Sequence, residues 1–134
     1  MTQENVELVM ASYDAYNSGD LDAAMRFFAP DVEAFPDAAV FPEAGALHGR
    51  DDLKRWFEEI VSAWVKVQNV VREVIAVEDG RVLVRVDWGG EGIASGIEAT
   101  SSVTGIWTIR DGLISHVEWF FDHDKALKVV GLEE

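Results

Sequence analysis

The sequence predicts an α+β domain in which one curved sheet wraps around a long helix, and three observations carry that prediction. Apolar residues recur at helical spacing from the amino terminus to about Val65. From there to Phe121 they recur at strand spacing, in valine-rich and aromatic runs. The turn Arg110-Asp111-Gly112 separates two such runs, and Asp-Gly between apolar stretches marks a hairpin.

Thr2 is the expected N-cap of the first helix, with Glu4 and Glu7 where the helix dipole favours acids. Val6, Val9, Met10, Tyr13 and Tyr16 form its apolar face. Asn17-Ser18-Gly19-Asp20 stops it, Gly19 as the left-handed terminal residue and Asp20 as the cap of a second helix. Leu21, Ala24, Met25 and Phe28 give that helix its stripe, and Ala29-Pro30 ends it. A short strand over Asp31–Phe35 leads into the loop PDAAVFPEAGALHG, residues 36–49. That is long for a plain connection and suits a lid or a rim. Arg50–Val65 is the clearest helix, with Leu53, Trp56, Phe57, Ile60, Val61 and Trp64 along one side.

Strands follow. Val65–Val77 ends at the turn Glu78-Asp79-Gly80. Arg81–Trp88 alternates, with Val82, Val84, Val86 and Trp88 inward and Arg81, Leu83, Arg85 and Asp87 outward. Gly89, Gly90, Gly92 and Gly96 make a loose connection or a bulged strand, with neither the spacing nor the following helix of a phosphate-binding loop. Ile97–Arg110 is the next strand, and Lys125–Val130 makes a terminal helical turn. No repeat or linker divides the chain, so one domain is expected over residues 1–134.

The closing strand is unusual. Ile114, His116, Glu118, Phe120 and Asp122 share one face, and Leu113, Ser115, Val117, Trp119 and Phe121 share the other. Ionisable groups set among large apolar ones suggest the wall of a cavity.

Composition excludes several classes of function. Eleven basic residues against twenty-five acidic ones leave a formal charge of −14, which repels phosphate backbones and anionic lipid. Nucleic acid and membrane are therefore not expected partners. The absence of cysteine excludes disulfides and thiolate chemistry. The amino terminus has no leader pattern and no run approaches a membrane span, so a cytoplasmic location is expected.

Asp122 heads the candidate site residues. Among Phe120, Trp88 and Trp107 its carboxylate would be desolvated and its pKa raised toward that of a general base. Asp122 is equally placed to cap the terminal helical turn. His116 and Glu118 can hold a carbonyl, position a water or relay a proton. More blandly, Glu118 can pair with Arg85 or Arg110, and His116 can be a satisfied core histidine. Tyr16, Trp56, Phe57, Trp88, Trp107 and Phe120 supply either the lining of a pocket or ordinary core. His116, Glu118, Asp122 and His123 include metal-ligand types, but tight spacing such as His-Glu-x-x-His is missing, so no metal is expected.

Three phrases, YNSGDLDAAMRFFAPDVE, PEAGALHGRDDLKRWFEEIVSAW and WTIRDGLISHVEWFFDHDKALKVVGL, resemble the SnoaL-like group in order and spacing. That group lies in the ketosteroid-isomerase-like, nuclear-transport-factor-2-like superfamily. The resemblance implies a cone-shaped α+β barrel, a bent, mostly antiparallel sheet around a long helix, with a deep pocket and commonly a homodimer packed sheet to sheet. It implies much less about chemistry, since relatives include isomerases, cyclases, dehydratases, epoxide hydrolases and proteins without catalysis. The catalytic tyrosine, base and protonated acid of the steroid isomerases fall at Ser12, Pro36 and Gly105, so that reaction is not expected, although Tyr13 and Asp37 lie one residue off. Gly105 would widen the pocket where relatives carry a polar residue. SnoaL-type cyclases place an acidic base near the position of Asp122. Two functions follow: a cofactor-free cyclase, isomerase or hydratase acting on a small apolar, carbonyl-bearing ligand, or a non-catalytic ligand-binding or scaffold domain.

Overall fold

Helix α1 (Thr2–Asn17) lays Val6, Val9, Tyr13 and Tyr16 on the core at helical spacing, with Val9 and Tyr13 buried. The computed structural model describes residues 2–92 and 95–132, the side chains of Thr2 and 63–66 excepted. The cap expected of Thr2 thus lies outside the described residues, as does the side chain of Trp64, but the backbone of Trp64 and Val65 belongs to a strand (Trp64–Val77) and not to the helix expected over Arg50–Val65. After Gly19, Asp20 caps helix α2 (Leu21–Met25), its carboxylate accepting from the Ala23 N–H at 3.0 Å.

Helix α2 is shorter than its apolar stripe suggests, because Phe28 and Pro30 belong to strand β1 (Phe28–Phe35). Strand β1 pairs in parallel with the closing strand, Phe28 opposite Ile114 and Glu33 opposite His116. The register slips between those pairs, and Pro30, with no N–H to give a ladder, sits in the slip. The following loop contains a two-residue strand, β2 (Leu47–His48), that the sequence pattern did not reveal. Helix α3 (Gly49–Ala63) follows, and the guanidinium of its second residue, Arg50, donates to the Phe28 carbonyl from two nitrogens at 2.8 and 2.6 Å. Those bonds fix the start of the helix on β1.

Strands β3 (Trp64–Val77), β4 (Arg81–Gly92), β5 (Glu98–Arg110) and β6 (Leu113–Phe120) form an antiparallel meander, and helix α4 (His123–Val129) follows. The curled sheet runs β2-β1-β6-β5-β4-β3, with β1–β6 the parallel pair in an otherwise antiparallel set. Asp111 and Gly112 both have positive φ, 55° and 76°, as a two-residue hairpin turn of this hand requires. The architecture is the cone-shaped α+β fold expected. No helix among the described residues is long and apolar enough to cross a membrane.

Two details reverse sequence expectations. Leu83, assigned to the outward face of β4, is fully buried with Ile106 beneath Ala126 of α4 and its C-cap residue Val130. The terminal helix gives part of the sheet's outer face a small core of its own; burying Leu83 there stabilises by roughly 1.5–3 kcal/mol. Second, β6 is bulged. Ile114 pairs with Ile109 but His116 pairs with Thr108, leaving Ser115 as the extra residue. Its hydroxyl donates to the Thr108 carbonyl at 3.2 Å. Beyond the bulge Val117, Trp119 and Phe121 face the main core, and His116, Glu118 and Phe120 face away.

Candidate functional site

Helices α1 and α3 and the inner face of β4, β5 and β6 surround a cavity of about 70 Å3. A water needs roughly 10–15 Å3 of such space, so the cavity has room for several and exceeds a packing defect. Helical spacing brings Tyr13 and Tyr16 from one face of α1 and Trp56, Phe57 and Ile60 from one face of α3. Alternation brings Val103 and Trp107 from β5, Trp88 from β4, and Trp119 and Phe121 from β6 and its end. The loop between β1 and β2 adds Pro36, Asp37 and Phe41.

The rings hold one another. Trp56 and Trp119 lie 5.3 Å apart at 31°, Tyr16 meets Phe57 edge-on at 5.1 Å, and Tyr13 meets Trp107 edge-on at 5.2 Å. Such pairs are favoured by the aromatic quadrupole. Gly105 does not widen the cavity. A Cβ there would stand 2.5 Å from Nε1 of Trp107, so the indole lies across the space that the missing side chain leaves. The Trp107 N–H is buried and meets no acceptor at hydrogen-bonding geometry among the described residues. It nevertheless lies near enough to the Tyr13 hydroxyl to temper the rise in that phenol's pKa, which burial drives far above the ordinary range. Burial likewise pushes Tyr16 up to about 12, tempered by the Trp88 indole.

Both phenols are therefore neutral donors at any physiological pH. The sign of the linkage is definite: the folded state holds these protons more tightly than the unfolded chain, whose tyrosines titrate near 10. Their contribution is complete below pH 10 and is lost above it, at about 1.4 kcal/mol per pH unit per tyrosine. Urea unfolding between pH 9 and 11.5 is expected to show that fall, and a flat profile would contradict the burial of both hydroxyls.

Among the described residues, Asp37 is the single carboxylate in the wall. Its Oδ2 accepts from the Phe121 N–H at 2.8 Å, and its Oδ1 accepts from the Ala39 N–H at 3.0 Å. A carboxylate has about four lone-pair sites, so acceptor capacity remains after both bonds. Asn69 of β3 also lines the cavity, its backbone held by the Asn17 side chain through bonds of 2.8 and 2.9 Å.

Of the residues singled out by sequence, Tyr16, Trp56, Phe57, Trp88 and Trp107 line this cavity. Phe120 does not, because it packs on the outer cluster with Leu83 and Ile106. The bulge also sends His116 and Glu118 to the outer face. There the His116 ring lies 4.9 Å from Phe35, and Glu118 stands opposite Phe35 in the ladder. Asp122 is exposed and caps α4, its Oδ1 accepting from the N–H groups of Asp124 and Lys125 at 3.1 and 3.4 Å. The structure thus does not bring Asp122, His116 and Glu118 together at the cavity. Asp122→Ala is expected to lose about 1 kcal/mol of stability in urea unfolding with ligand affinity unchanged. Sequence reasoning passed over Phe41, Trp119 and Phe121 as lining residues. Asp37 had left a trace, one residue from a steroid-isomerase position.

A curled sheet closed around a long helix, with a cavity between them, is the fold of a solved nuclear-transport-factor-2-like protein from Burkholderia pseudomallei, matched at 22% identity and a TM-score of 0.75 over 95% of this chain and 97% of that one. The chain belongs to the SnoaL-like domain family, whose profile matches residues 9–117. Among solved structures it is similar to TerC co-crystallised with polyporic acid, at 24% identity and a TM-score of 0.77 over 96% of this chain and 98% of that one. A putative polyketide cyclase from Xanthomonas campestris pv. campestris gives 22% and 0.77 over 96% and 98%. Another, from Sinorhizobium meliloti, gives 26% and 0.69 over 85% and 94%. No curated protein matches the chain.

Proposed function

We propose that the chain binds a small apolar, carbonyl-bearing ligand in the aromatic cavity and acts on it by acid–base chemistry of cyclase, isomerase or hydratase type, with Asp37 as the proton acceptor. The observation that carries this reading is a carboxylate, the one found there among the described residues, in a mostly apolar and aromatic wall. In such a site Asp37 takes the proton from the carbon beside the carbonyl. The electron pair moves onto the carbonyl oxygen, and the neutral hydroxyl of Tyr13 or Tyr16 stabilises the enolate by donating a hydrogen bond. Return of the proton to a different atom, or attack of the enolate carbon on a second carbonyl, completes an isomerisation or a ring closure. The likeness to putative polyketide cyclases supports the substrate class, and Tyr16, Trp56, Phe57, Trp88 and Trp107 are the proposed apolar contacts.

A second reading, a binder without turnover, is favoured by the two backbone N–H groups that already occupy Asp37. One experiment separates them. The protein is titrated calorimetrically with polyporic acid and with 4-phenylbutan-2-one, and exchange of the ketone's α-protons is then followed in D2O by NMR. Binding with catalysed exchange supports the enzyme, binding without exchange supports the binder, and no binding contradicts both. We also infer a homodimer through the outer face of β3 and β4, where Val70 stands 46% exposed opposite Asp87. A monomer in sedimentation equilibrium would overturn that assembly.

A further inference from the structure

We propose that the ring of Phe41 occupies an aryl-binding subsite of the cavity, and that an aryl group of the ligand takes its place. This rests on the reading of the cavity as a ligand site and adds both a ligand feature and a competing occupant. Phe41 meets Trp56 edge-on at 5.4 Å and 85°, Trp88 at 6.2 Å and 68°, and Phe121 at 6.0 Å and 58°. These separations suit ring pairs in tilted and edge-to-face geometry, so the seat already accommodates a phenyl group. The walls of the seat stand on α3, β4 and the end of β6, whereas its occupant comes from a loop.

That loop is weakly held. Among the described residues, the hydrogen bonds made by 38–46 stay within the loop: Ala39, Val40 and Phe41 donate back to Asp37, and Ala44 donates to Phe41. Val40 is 44% exposed, and Pro42 and Glu43 beside the ring are exposed too. The bond from Phe121 to the Asp37 carboxylate pins the base of the loop and leaves its tip free of such ties. Withdrawing Phe41 therefore breaks ring contacts and no hydrogen bond to the body of the protein. A loop pivoting beyond Asp37 opens the seat while the carboxylate stays in the wall. The ligand class that follows is a ketone bearing an aryl group, its ring seated among Trp56, Trp88 and Phe121.

The test is the sign of one substitution. Wild type and Phe41→Ala are titrated with 4-phenylbutan-2-one and with its saturated analogue, 4-cyclohexylbutan-2-one. Removing the internal competitor is expected to tighten the phenyl ketone about tenfold, and the cyclohexyl ketone less, because a site filled most of the time binds in proportion to its open fraction. A second measurement uses wild type alone, so that a poorly folded variant does not decide the matter. Proteolysis within 38–46, mapped by mass spectrometry, is expected to quicken at saturating phenyl ketone because the loop tip is expelled. Affinity lowered or unchanged by Phe41→Ala, or a loop protected by the ligand, overturns the proposal and leaves the cavity as the ligand site. Failure of both ketones to bind either protein overturns the ligand-site reading as well.

Discussion

Trp107→Ala is expected to destabilise the protein by about 3–5 kcal/mol, the range for truncating a large buried aromatic. Trp107 is 3% exposed and its ring meets those of Tyr13, Phe28 and Trp119 at 5.2, 6.0 and 6.0 Å. It joins helix α1, strand β1 and strand β6 at the inner end of the cavity, so ligand affinity should fall with stability. The reciprocal change, Gly105→Ala, pushes a methyl group to 2.5 Å from the indole nitrogen. A rigid ring in a packed interior has no cheap way to yield, and overpacking of this kind costs about 1–3 kcal/mol. Because one cause underlies both losses, the double variant Gly105→Ala/Trp107→Ala should be distinctly more stable than the sum of the single effects. Urea unfolding of the four proteins measures the coupling. Strict additivity would show that the indole does not depend on the bare backbone beneath it.

Asp37→Asn is expected to lower the rate of α-proton exchange by about 10²–10⁴-fold while ligand affinity changes little, since the amide keeps the shape of the side chain and loses its basicity. A modest loss of stability accompanies it, because the amide oxygen replaces only one of the two acceptors that now hold Phe121 and Ala39. Hydrogen bonds to a charged group contribute roughly 1.5–3 kcal/mol, which bounds that loss. The two effects are read separately, exchange by NMR in D2O and stability by unfolding. An Asp37→Asn protein that binds and exchanges like wild type would remove the carboxylate from the chemistry.

Much of this is legible in the amino-acid sequence. The helical stripes of α1 and α3, the capping by Asp20, and the left-handed turn at Asp111-Gly112 are local physics, and each forms where its residues say it should. The same periodicities account for Tyr16, Trp56, Phe57, Trp88 and Trp107 lining the cavity. What failed was parity on β6. One extra residue, Ser115, rotates every later side chain to the opposite face, and nothing in its neighbours advertises a bulge. His116, Glu118 and Phe120 consequently left the cavity, and Trp119 and Phe121 entered it. Asp122 followed its strong intrinsic preference for a cap. Phe41 and Asp37 lie in a segment without period, where only the folded loop shows which way the side chains turn. Pro30 misled differently, since a residue that ends helices also suits a slipped strand.

The proposed ligand site is the inner, aromatic face of the sheet and not the outer face of β6. Titration of the labelled protein with 4-phenylbutan-2-one, followed through indole and backbone N–H resonances, tests it most directly. Saturable shifts are expected at the Trp56, Trp88, Trp107 and Trp119 indoles and at the Phe121 amide, with those of His116, Glu118 and Asp122 unchanged. Shifts gathered on His116, Glu118 and Asp122 while those indoles stay silent would contradict it.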